Sequence, residues 1–396
     1  MALVEGETDL GTLRVDQIGG LVAPPALREA WAGHDRGEIS DGALEQAQDA
    51  AIRHVFARQE AIGFPILSDG EFRRRNFQES FAAAVAGFDV PAGAVADYQN
   101  DRINAVPLQR AEQDFDAAGP AIYTRRPVVE RLRLTRNVPL EEWRRSAAMT
   151  GSPVKVTVLS PDRISQRFAW ERSTAVYPDM DAFMADVVAI TREIVAGLVA
   201  AGCRYIQIDA PGYTAYVDPV SLGRMRARGE DPEANLARSI AADNAVIAGF
   251  PGVTFGIHIC RGNARTLDPA TGRIVAQWHR EGAYDAIAER LFSTLDHDRL
   301  LLEYDSERAG GFAPLRHVRK GKVAVLGLVT TKDAEVESAD MLRRRIEAAA
   351  RHLPLDQLAL SPQCGFGSVV SPAVLPEEVE WRKFERMLEV AGQVWG

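Results

Sequence analysis

A histidine and a cysteine two residues apart are the first candidates for chemistry in this 396-residue chain. His258 and Cys260 end a short apolar run at residues 253–260. Residues i and i+2 of a strand point to the same side, so one metal ion could contact both side chains. The pair alone is a weak signal, because a core histidine beside a buried thiol has the same spacing. It becomes informative when other donors join it.

Two further side chains that can bind a metal, a carboxylate and a second thiol, stand at the ends of other predicted strands. Imidazole nitrogen, thiolate sulfur and carboxylate oxygen together suit Zn²⁺, which binds them in tetrahedral geometry. The predicted zinc ligands are His258, Cys260, Glu303 and Cys364. Asp305 and Glu307 lie close to Glu303 in the sequence and are rival carboxylate ligands.

The remaining cysteine is expected to have no part in this site. Cys203 precedes the predicted strand at residues 205–209 and lies at the opposite end of that strand from Asp209. A small buried core residue is the simpler interpretation. Three cysteines are also too few, and odd in number, for a disulfide framework.

Eight short apolar runs alternate with helical patterns and are predicted to be strands. They are residues 14–21, 63–68, 154–159, 205–209, 253–260, 300–304, 322–328 and 358–361. Residues 44–63, 181–201 and 340–353 repeat apolar residues at helical spacing. Eight alternating units predict an α/β fold, the (β/α)₈ TIM barrel. A doubly wound open sheet is the alternative.

A long, charge-rich segment at residues 72–152 separates the second and third predicted strands. It contains no evident strand of the barrel type. We expect a mostly helical insertion that covers the barrel mouth, within one catalytic barrel domain that spans residues 1–396.

Acidic residues also fall at predicted strand ends. Asp69 and Glu71 follow the second strand, and Asp209 ends the fourth. In a barrel the carboxyl ends of the strands meet at one mouth, where active sites are built. These residues could therefore form an acidic patch for a substrate amine. Ordinary capping at strand–helix junctions is the alternative.

Two cationic residues stand near the predicted zinc ligands. Arg261 directly follows Cys260 and could hold a carboxylate or sulfonate, or be a solvated loop residue. Lys332 follows the seventh strand. It could protonate a leaving group or an opened epoxide oxygen if burial near zinc lowers its pKa. A lysine on a surface loop is the alternative.

Charge and hydropathy limit the partners. The 46 Lys and Arg residues and the 55 Asp and Glu residues give a net charge of −9, which argues against a nucleic-acid or anionic-membrane surface. No apolar run reaches the roughly 18 residues of a transmembrane helix, and the start lacks a signal pattern. We expect a cytoplasmic protein that acts on small molecules.

Six short motifs run in order along the chain. They are Ile18-Gly19-Gly20, Asp69-Gly70-Glu71-Phe72, Ile206-Gln207-Ile208-Asp209, His258-Ile259-Cys260, Leu302-Glu303 and Pro362-Gln363-Cys364-Gly365. Together they resemble the catalytic C-terminal barrel of the cobalamin-independent methionine synthase family and its short one-barrel relatives, over essentially the whole chain. The resemblance implies the same barrel and the same four zinc ligands.

The resemblance also implies homocysteine as the thiol. Glu71 and Asp209 match the carboxylates that hold its amino group, and the turn at Gly19 and Gly20 matches the one that holds its carboxylate. Gly20 replaces the family's serine. Lys332 stands where the family has a proton-donating histidine, and the family's folate-binding tryptophan after the third strand is absent.

The predicted site residues fall into two groups. The predicted catalytic residues are Lys332, Asp209 and Glu71, and the predicted substrate-binding residues are Gly19, Gly20, Asp69, Glu71, Asp209 and Arg261.

Two cysteinates and a glutamate would make the zinc ion electron-rich, which favours a sulfur nucleophile over polarisation of a carbonyl. The sequence therefore predicts zinc-dependent transfer of a methyl or other alkyl group from an alkyl donor to a small thiol, homocysteine or another, with a zinc-bound thiolate as nucleophile. The alternatives are an epoxide-opening thiol transferase or lyase of the coenzyme M type, a zinc lyase or hydrolase, and a non-catalytic protein that binds a thiol or methyl donor. A homo-oligomer stays open.

Overall fold

The computed structural model describes residues 9–89, 127–166, 168–261, 264–267, 274–278, 280–367 and 375–396. Its strands are β1 (Val85–Phe88), β2 (Val128–Leu134), β3 (Val156–Leu159), β4 (Tyr205–Asp209), β5 (Thr254–Ile259), β6 (Ala264–Leu267), β7 (Ile274–Trp278), β8 (Arg299–Glu303), β9 (Val323–Val329) and β10 (Leu358–Pro362). Its α-helices are α1 (Pro25–Asp35), α2 (Asp41–Ala61), α3 (Glu79–Ala84), α4 (Val138–Ala147), α5 (Pro161–Ser165), α6 (Met180–Ala200), α7 (Pro219–Ala227), α8 (Pro232–Ile247), α9 (Ala288–Thr294), α10 (Ala339–Ala350) and α11 (Glu377–Trp395).

A parallel sheet forms the centre of the molecule, in the order β10-β9-β8-β5-β4-β3. Two further extended segments close it into a ring. The closing bridges are Val15–Leu360, Gly20–Gly70 and Leu67–Val154, all parallel. Every residue of β4, β8, β9 and β10 is buried, as expected for strands covered on both faces. The ring of eight extended segments confirms the predicted (β/α)₈ barrel.

The first two predicted strands, 14–21 and 63–68, join the ring through single bridges instead of full ladders. Side-chain amides take over part of their hydrogen bonding. Gln59 of α2 donates to the Ser68 carbonyl at 2.8 Å and accepts from its N–H at 2.9 Å, and Gln17 donates to Gln59 at 2.7 Å. Buried backbone groups need partners, and these two glutamines supply them where the ladder is interrupted.

A buried ion cluster fills the barrel interior near the amino ends of the strands. The Asp16 carboxylate accepts from Lys155 Nζ and from Arg299 Nε, each at 2.9 Å, and from the Tyr205 hydroxyl at 2.5 Å. Burial would raise the pKa of Asp16, but the charges of Lys155 and Arg299 outweigh it and lower the pKa. The cluster ties the first extended segment to β4, β8 and the residue before β3.

In the described part of the segment at 72–152, α3 and α4 are helical; that the whole insertion is mostly helical and covers the mouth stays a prediction. In between, β1 and β2 pair antiparallel in a small sheet of their own, which the sequence analysis did not predict. The part at 90–126 lies outside the described residues. Helix α4 is tied to the barrel mouth, because Glu142 accepts from Arg74 at 2.7 Å and Ser146 donates to Asp69 at 2.8 Å.

The helices predicted at 44–63, 181–201 and 340–353 are α2, α6 and α10, with closely similar bounds. Capping explains where they begin: Ser40, Asp179 and Ser338 each accept from a backbone N–H of the first helical turn. Among the helices that the structure describes, none combines the length and the apolar character needed to cross a membrane.

Candidate metal centre and substrate site

The three soft donors of the predicted metal site come together at the carboxyl ends of β5 and β10. The ligand atoms of His258, Cys260 and Cys364 all lie within 4.8 Å of one another, and the two sulfurs are 4.0 Å apart. All three residues are buried. The strand geometry of β5 explains the first pair, since alternate residues share a face. We refer to these residues as the metal group.

The chemistry of the metal group fits a bound cation. Both ring nitrogens of His258 are buried, and within the described residues neither has a hydrogen-bond partner outside the metal group. An unpaired buried polar atom is costly unless something binds it. Burial would lower the pKa of His258, but the charge and hydrogen bonding of Cys260, with the carboxylates of Asp209 and Glu303, outweigh it and raise the pKa. The group can therefore bind a metal ion, and one imidazole with two sulfurs is a soft donor set.

Glu303, the fourth predicted ligand, ends β8 next to this group. Ile259 of β5 pairs with Leu302 of β8, so the next residues along the two strands are Cys260 and Glu303. The Glu303 carboxylate is directed elsewhere: Oε2 accepts from the Arg261 backbone N–H at 2.7 Å, and Oε1 accepts from Lys332 Nζ at 2.9 Å. Burial raises the pKa of Glu303, although Lys332 acts against it.

Lys332 lies between two carboxylates. Its Nζ donates to Glu303 and to Asp305, each at 2.9 Å, and its side chain is only 16% exposed. The alternative of a surface lysine is therefore wrong. Burial alone would lower the pKa of Lys332, but the two carboxylates outweigh it and raise the pKa. The predicted acid role of Lys332 required a lowered pKa, and its pKa is raised instead. Of the two rival ligands, Asp305 binds Lys332 and Glu307 is exposed.

Glu71 lies in a strained turn that follows the second extended segment. Its φ is +59°, and it is the one non-glycine residue with positive φ in the described part of the chain. Such strain concentrates at functional sites. Glu71 Oε1 accepts from the Thr157 hydroxyl at 2.8 Å, and Asp69 accepts from the Glu71 N–H at 2.9 Å. Burial, with the charge of Asp209, raises the pKa of Glu71 to about 7 in spite of Arg74.

Asp209 interacts both with the metal group and with Glu71. It pairs with His258 across β4 and β5. Its Oδ1 accepts from Gln207 Nε2 at 2.7 Å, and the same amide donates to the Ile18 carbonyl at 2.6 Å. Burial raises the pKa of Asp209, while the charge of His258 acts against it. The structure therefore brings the acidic residue that ends the fourth strand against the metal group.

Gly19 and Gly20 form the turn beside Glu71. Gly19 has φ of +144°, and a Cβ there would lie 2.6 Å from Glu71 Oε1 and 2.9 Å from Thr157 Cγ2. Only glycine leaves this space open. The Gly20 carbonyl accepts from the Phe366 N–H at 2.8 Å, which fixes the turn against the loop that carries Cys364.

Asp69 and Arg261 have their described contacts outside the metal group. Both described hydrogen bonds of Asp69 support the Glu71 turn and helix α4. Arg261 is fully buried, so the alternative of a solvated loop arginine is wrong. Its Nη1 donates to the Gly282 carbonyl, and its guanidinium lies 5.0 Å from the centre of the Tyr284 ring. Its predicted role in holding a substrate anion stays a prediction.

The sequence analysis missed three residues that shape the site. Gln207 orients Asp209 from two positions earlier on the same face of β4, a spacing that could have revealed it. Thr157 holds Glu71, and Arg74 donates to the Thr157 hydroxyl at 2.8 Å. No local pattern marks this last contact, because it joins β3 to the insertion.

Sequence comparisons relate this chain to known proteins. A family model described as "Cobalamin-independent synthase, Catalytic domain" matches residues 16–264 and 275–391. The uncharacterized protein YxjH of Bacillus subtilis (strain 168) is 31% identical over 386 residues, which are 96% of this chain and 94% of that protein. The methionine synthase of Pyrococcus abyssi (strain GE5 / Orsay) is 24% identical over 384 residues, with coverage of 96% and 92%.

A solved structure with the same fold is the B12-independent methionine synthase from Shewanella sp. W3-18-1 in complex with selenomethionine. It superposes with a TM-score of 0.68 at 19% identity, over 97% of this chain and 98% of its own. At that identity the likeness shows the fold alone. The family model spans most of the chain and confirms the resemblance found in the motifs. The chain therefore belongs to the family of cobalamin-independent synthase catalytic domains.

Proposed function

We propose that this protein is a zinc-dependent enzyme that transfers a methyl or another alkyl group to the sulfur of a small thiol. The observation that carries the proposal is the metal group, in which His258, Cys260 and Cys364 converge in a buried site. Zinc prefers such a mixture of sulfur and imidazole donors. The name of the Pyrococcus abyssi relative, methionine synthase, supports homocysteine as the thiol.

The metal group would hold zinc, and Glu303 would be a fourth ligand that an incoming thiol displaces. Bound zinc lowers the pKa of a coordinated thiol, so that its sulfur is a thiolate at neutral pH. The anionic protein ligands, Cys260 and Cys364 with Glu303, leave little positive charge for polarising a carbonyl or activating water. This balance favours attack by sulfur on an alkyl carbon over hydrolysis.

The acidic pair of Glu71 and Asp209 would bind the amine of the thiol substrate. Burial raises the pKa of both carboxyls, and the charge of Asp209 raises that of Glu71 further. An ammonium group bound by the two carboxylates would offset their repulsion. The turn at Gly19 and Gly20 would receive the substrate carboxylate through its backbone. Asp69 would act indirectly, by holding the Glu71 turn.

A second candidate function is the opening of an epoxide by a thiol of the coenzyme M type. The observation that favours it is the place of Lys332, whose ammonium group donates to Glu303 at 2.9 Å beside the metal group; its raised pKa keeps it protonated. Such an ammonium is a poor acid toward a weak base, but it still protonates the strongly basic alkoxide that an opened epoxide leaves. Arg261 would then be the candidate partner for the sulfonate of the thiol.

The experiment is metal analysis followed by titration of the cobalt-substituted protein with L-homocysteine and with coenzyme M. We expect one metal per chain and a new cobalt–sulfur charge-transfer band with the preferred thiol. Methyl-folate, a methylated corrinoid, an aryl methyl ether and an epoxide are then offered as donors, and products are analysed by mass spectrometry. A new carbon–sulfur bond supports the proposal. A protein without bound metal would contradict it, and thiol binding without any product would favour the non-catalytic alternative.

A further inference from the structure

The Glu303 carboxylate lies in a complete binding site of its own. Lys332 Nζ and the Arg261 backbone N–H donate to its two oxygens at 2.9 and 2.7 Å. The Glu303 side chain is 1% exposed, so both hydrogen bonds are shielded from water and are of the strong, charge-assisted kind. We call Lys332 Nζ and the Arg261 N–H together the carboxylate site.

The loop that carries Lys332 is held rigidly by its neighbours. The Thr330 N–H donates to Glu337 at 2.7 Å, and the Thr331 N–H donates to the side chain of Gln363 at 2.6 Å. Gln363 directly precedes Cys364, so this loop and a member of the metal group are fixed to each other. Glu337 is in turn paired with the buried Lys383 of α11 at 3.1 Å. The backbone of this loop is therefore held by contacts that do not involve Glu303.

The charge at Lys332 is balanced whether Glu303 is present or absent. Asp305 accepts from Lys332 Nζ at 2.9 Å, and its side chain is 2% exposed. An ammonium with a second buried carboxylate partner does not become an unpaired charge when Glu303 leaves. Without Lys332, by contrast, Glu303 and Asp305 would lose the ammonium group that they share.

We propose that Lys332 is a positioning residue for Glu303, and that the carboxylate site receives Glu303 when an exogenous thiol takes its coordination position. This inference rests on the proposed function. In the exchange one metal–oxygen bond is replaced by one metal–sulfur bond, and the thiol proton passes to solvent. Lys332 thus shifts the competition between Glu303 and the thiol in favour of the thiol, without touching the thiol itself.

The test is a double-mutant cycle on the full-length cobalt-substituted protein. L-Homocysteine is titrated against the wild type, Lys332→Met, Glu303→Gln and the double variant, with the cobalt–sulfur band as readout. We expect Lys332→Met alone to weaken thiol binding about tenfold, the scale of one buried charged hydrogen bond. In the Glu303→Gln background the same change has no effect, because no carboxylate competes. An equal loss in both backgrounds, or no loss in either, overturns the proposal.

Metal affinity separates positioning from mere structural damage. By chelator competition, Lys332→Met should bind cobalt at least as tightly as the wild type, because Glu303 has lost its charged partner and keeps only the Arg261 N–H. A general loss of structure would instead weaken metal and thiol binding together, and that result also overturns the proposal. If Lys332→Met does not fold, Lys332→Arg keeps the charge and should retain thiol affinity, whereas Lys332→Gln should lose it. A wild type that binds no metal would instead contradict the proposed function.

Discussion

Asp209 and His258 lie directly opposite each other on the parallel strands β4 and β5. Burial raises the pKa of Asp209, and the charge of His258 acts against that shift. The charge of Asp209 in turn adds to burial in raising the pKa of Glu71. The charge of the metal group therefore affects the ionisation of the acidic pair, Asp209 and Glu71. A cation bound at the metal group would keep Asp209 ionised and ready for a substrate ammonium.

Removing a sulfur of the metal group should abolish metal binding. In Cys364→Ser a neutral hydroxyl replaces a thiolate, and we expect a loss of metal affinity beyond the 10–100-fold that changes to outer partners usually cost. Chelator competition measures it. Cys203→Ser is the matched control, because Cys203 is equally buried but lies before β4, away from the metal group. Full metal content in Cys364→Ser would remove that residue from the ligand set.

Glu71 should make the stability of the metal-free protein depend on pH. A carboxyl whose pKa is higher in the folded state, here about 7, holds its proton more tightly there than in the unfolded chain. The folded state therefore loses stability as the pH rises from about 4.5 to 7, by at most about 3 kcal/mol. Glu71→Gln removes this loss.

The measurement for Glu71 is urea unfolding of the wild type and Glu71→Gln at pH 5 and pH 8. We expect similar free energies of unfolding at pH 5 and a more stable variant at pH 8. Taking the difference between the two proteins cancels the groups that titrate independently of Glu71. A variant that is less stable than the wild type at pH 8 would show that Glu71 is ionised at little cost.

The residues of the metal group could be predicted because strand ends in a barrel converge on one mouth, and because positions i and i+2 of a strand share a face. The orientation of Glu303 could not. Its partners Arg261 and Lys332 are 42 and 29 residues away, and which of them a carboxylate meets depends on the packing of three strand ends. The predicted acid role of Lys332 assumed burial alone, and its two carboxylate neighbours reverse the direction of the pKa shift.

The weak pairing of the first two extended segments could not be predicted from the sequence either. Short apolar runs of this kind are typical of strands, and both segments do occupy positions in the ring. The amides of Gln17 and Gln59 replace ladder hydrogen bonds there, and the two residues are 42 positions apart in the sequence. A pattern of local hydrophobicity carries no information about such a contact.

Gly19→Ala should disturb both stability and thiol binding. The new Cβ would overlap Glu71 Oε1 at 2.6 Å, and the positive φ is itself unfavourable for alanine. We expect a loss of about 1–3 kcal/mol in the free energy of unfolding and weaker binding of L-homocysteine, because Glu71 must move. Gly151→Ala is the control, since a Cβ there meets nothing within 4 Å. Equal effects of the two substitutions would show that the turn tolerates a side chain.

The buried ion cluster should dominate the stability of the barrel. Asp16→Asn leaves Lys155 and Arg299 as unpaired cations in an interior where all three side chains have no exposure, and breaking such a pair costs about 3–5 kcal/mol. Urea unfolding at pH 7 measures the loss. Glu38→Gln breaks an exposed pair with Arg36 and should cause no measurable change. A similarly small change in Asp16→Asn would mean that water enters the barrel interior and hydrates the two cations.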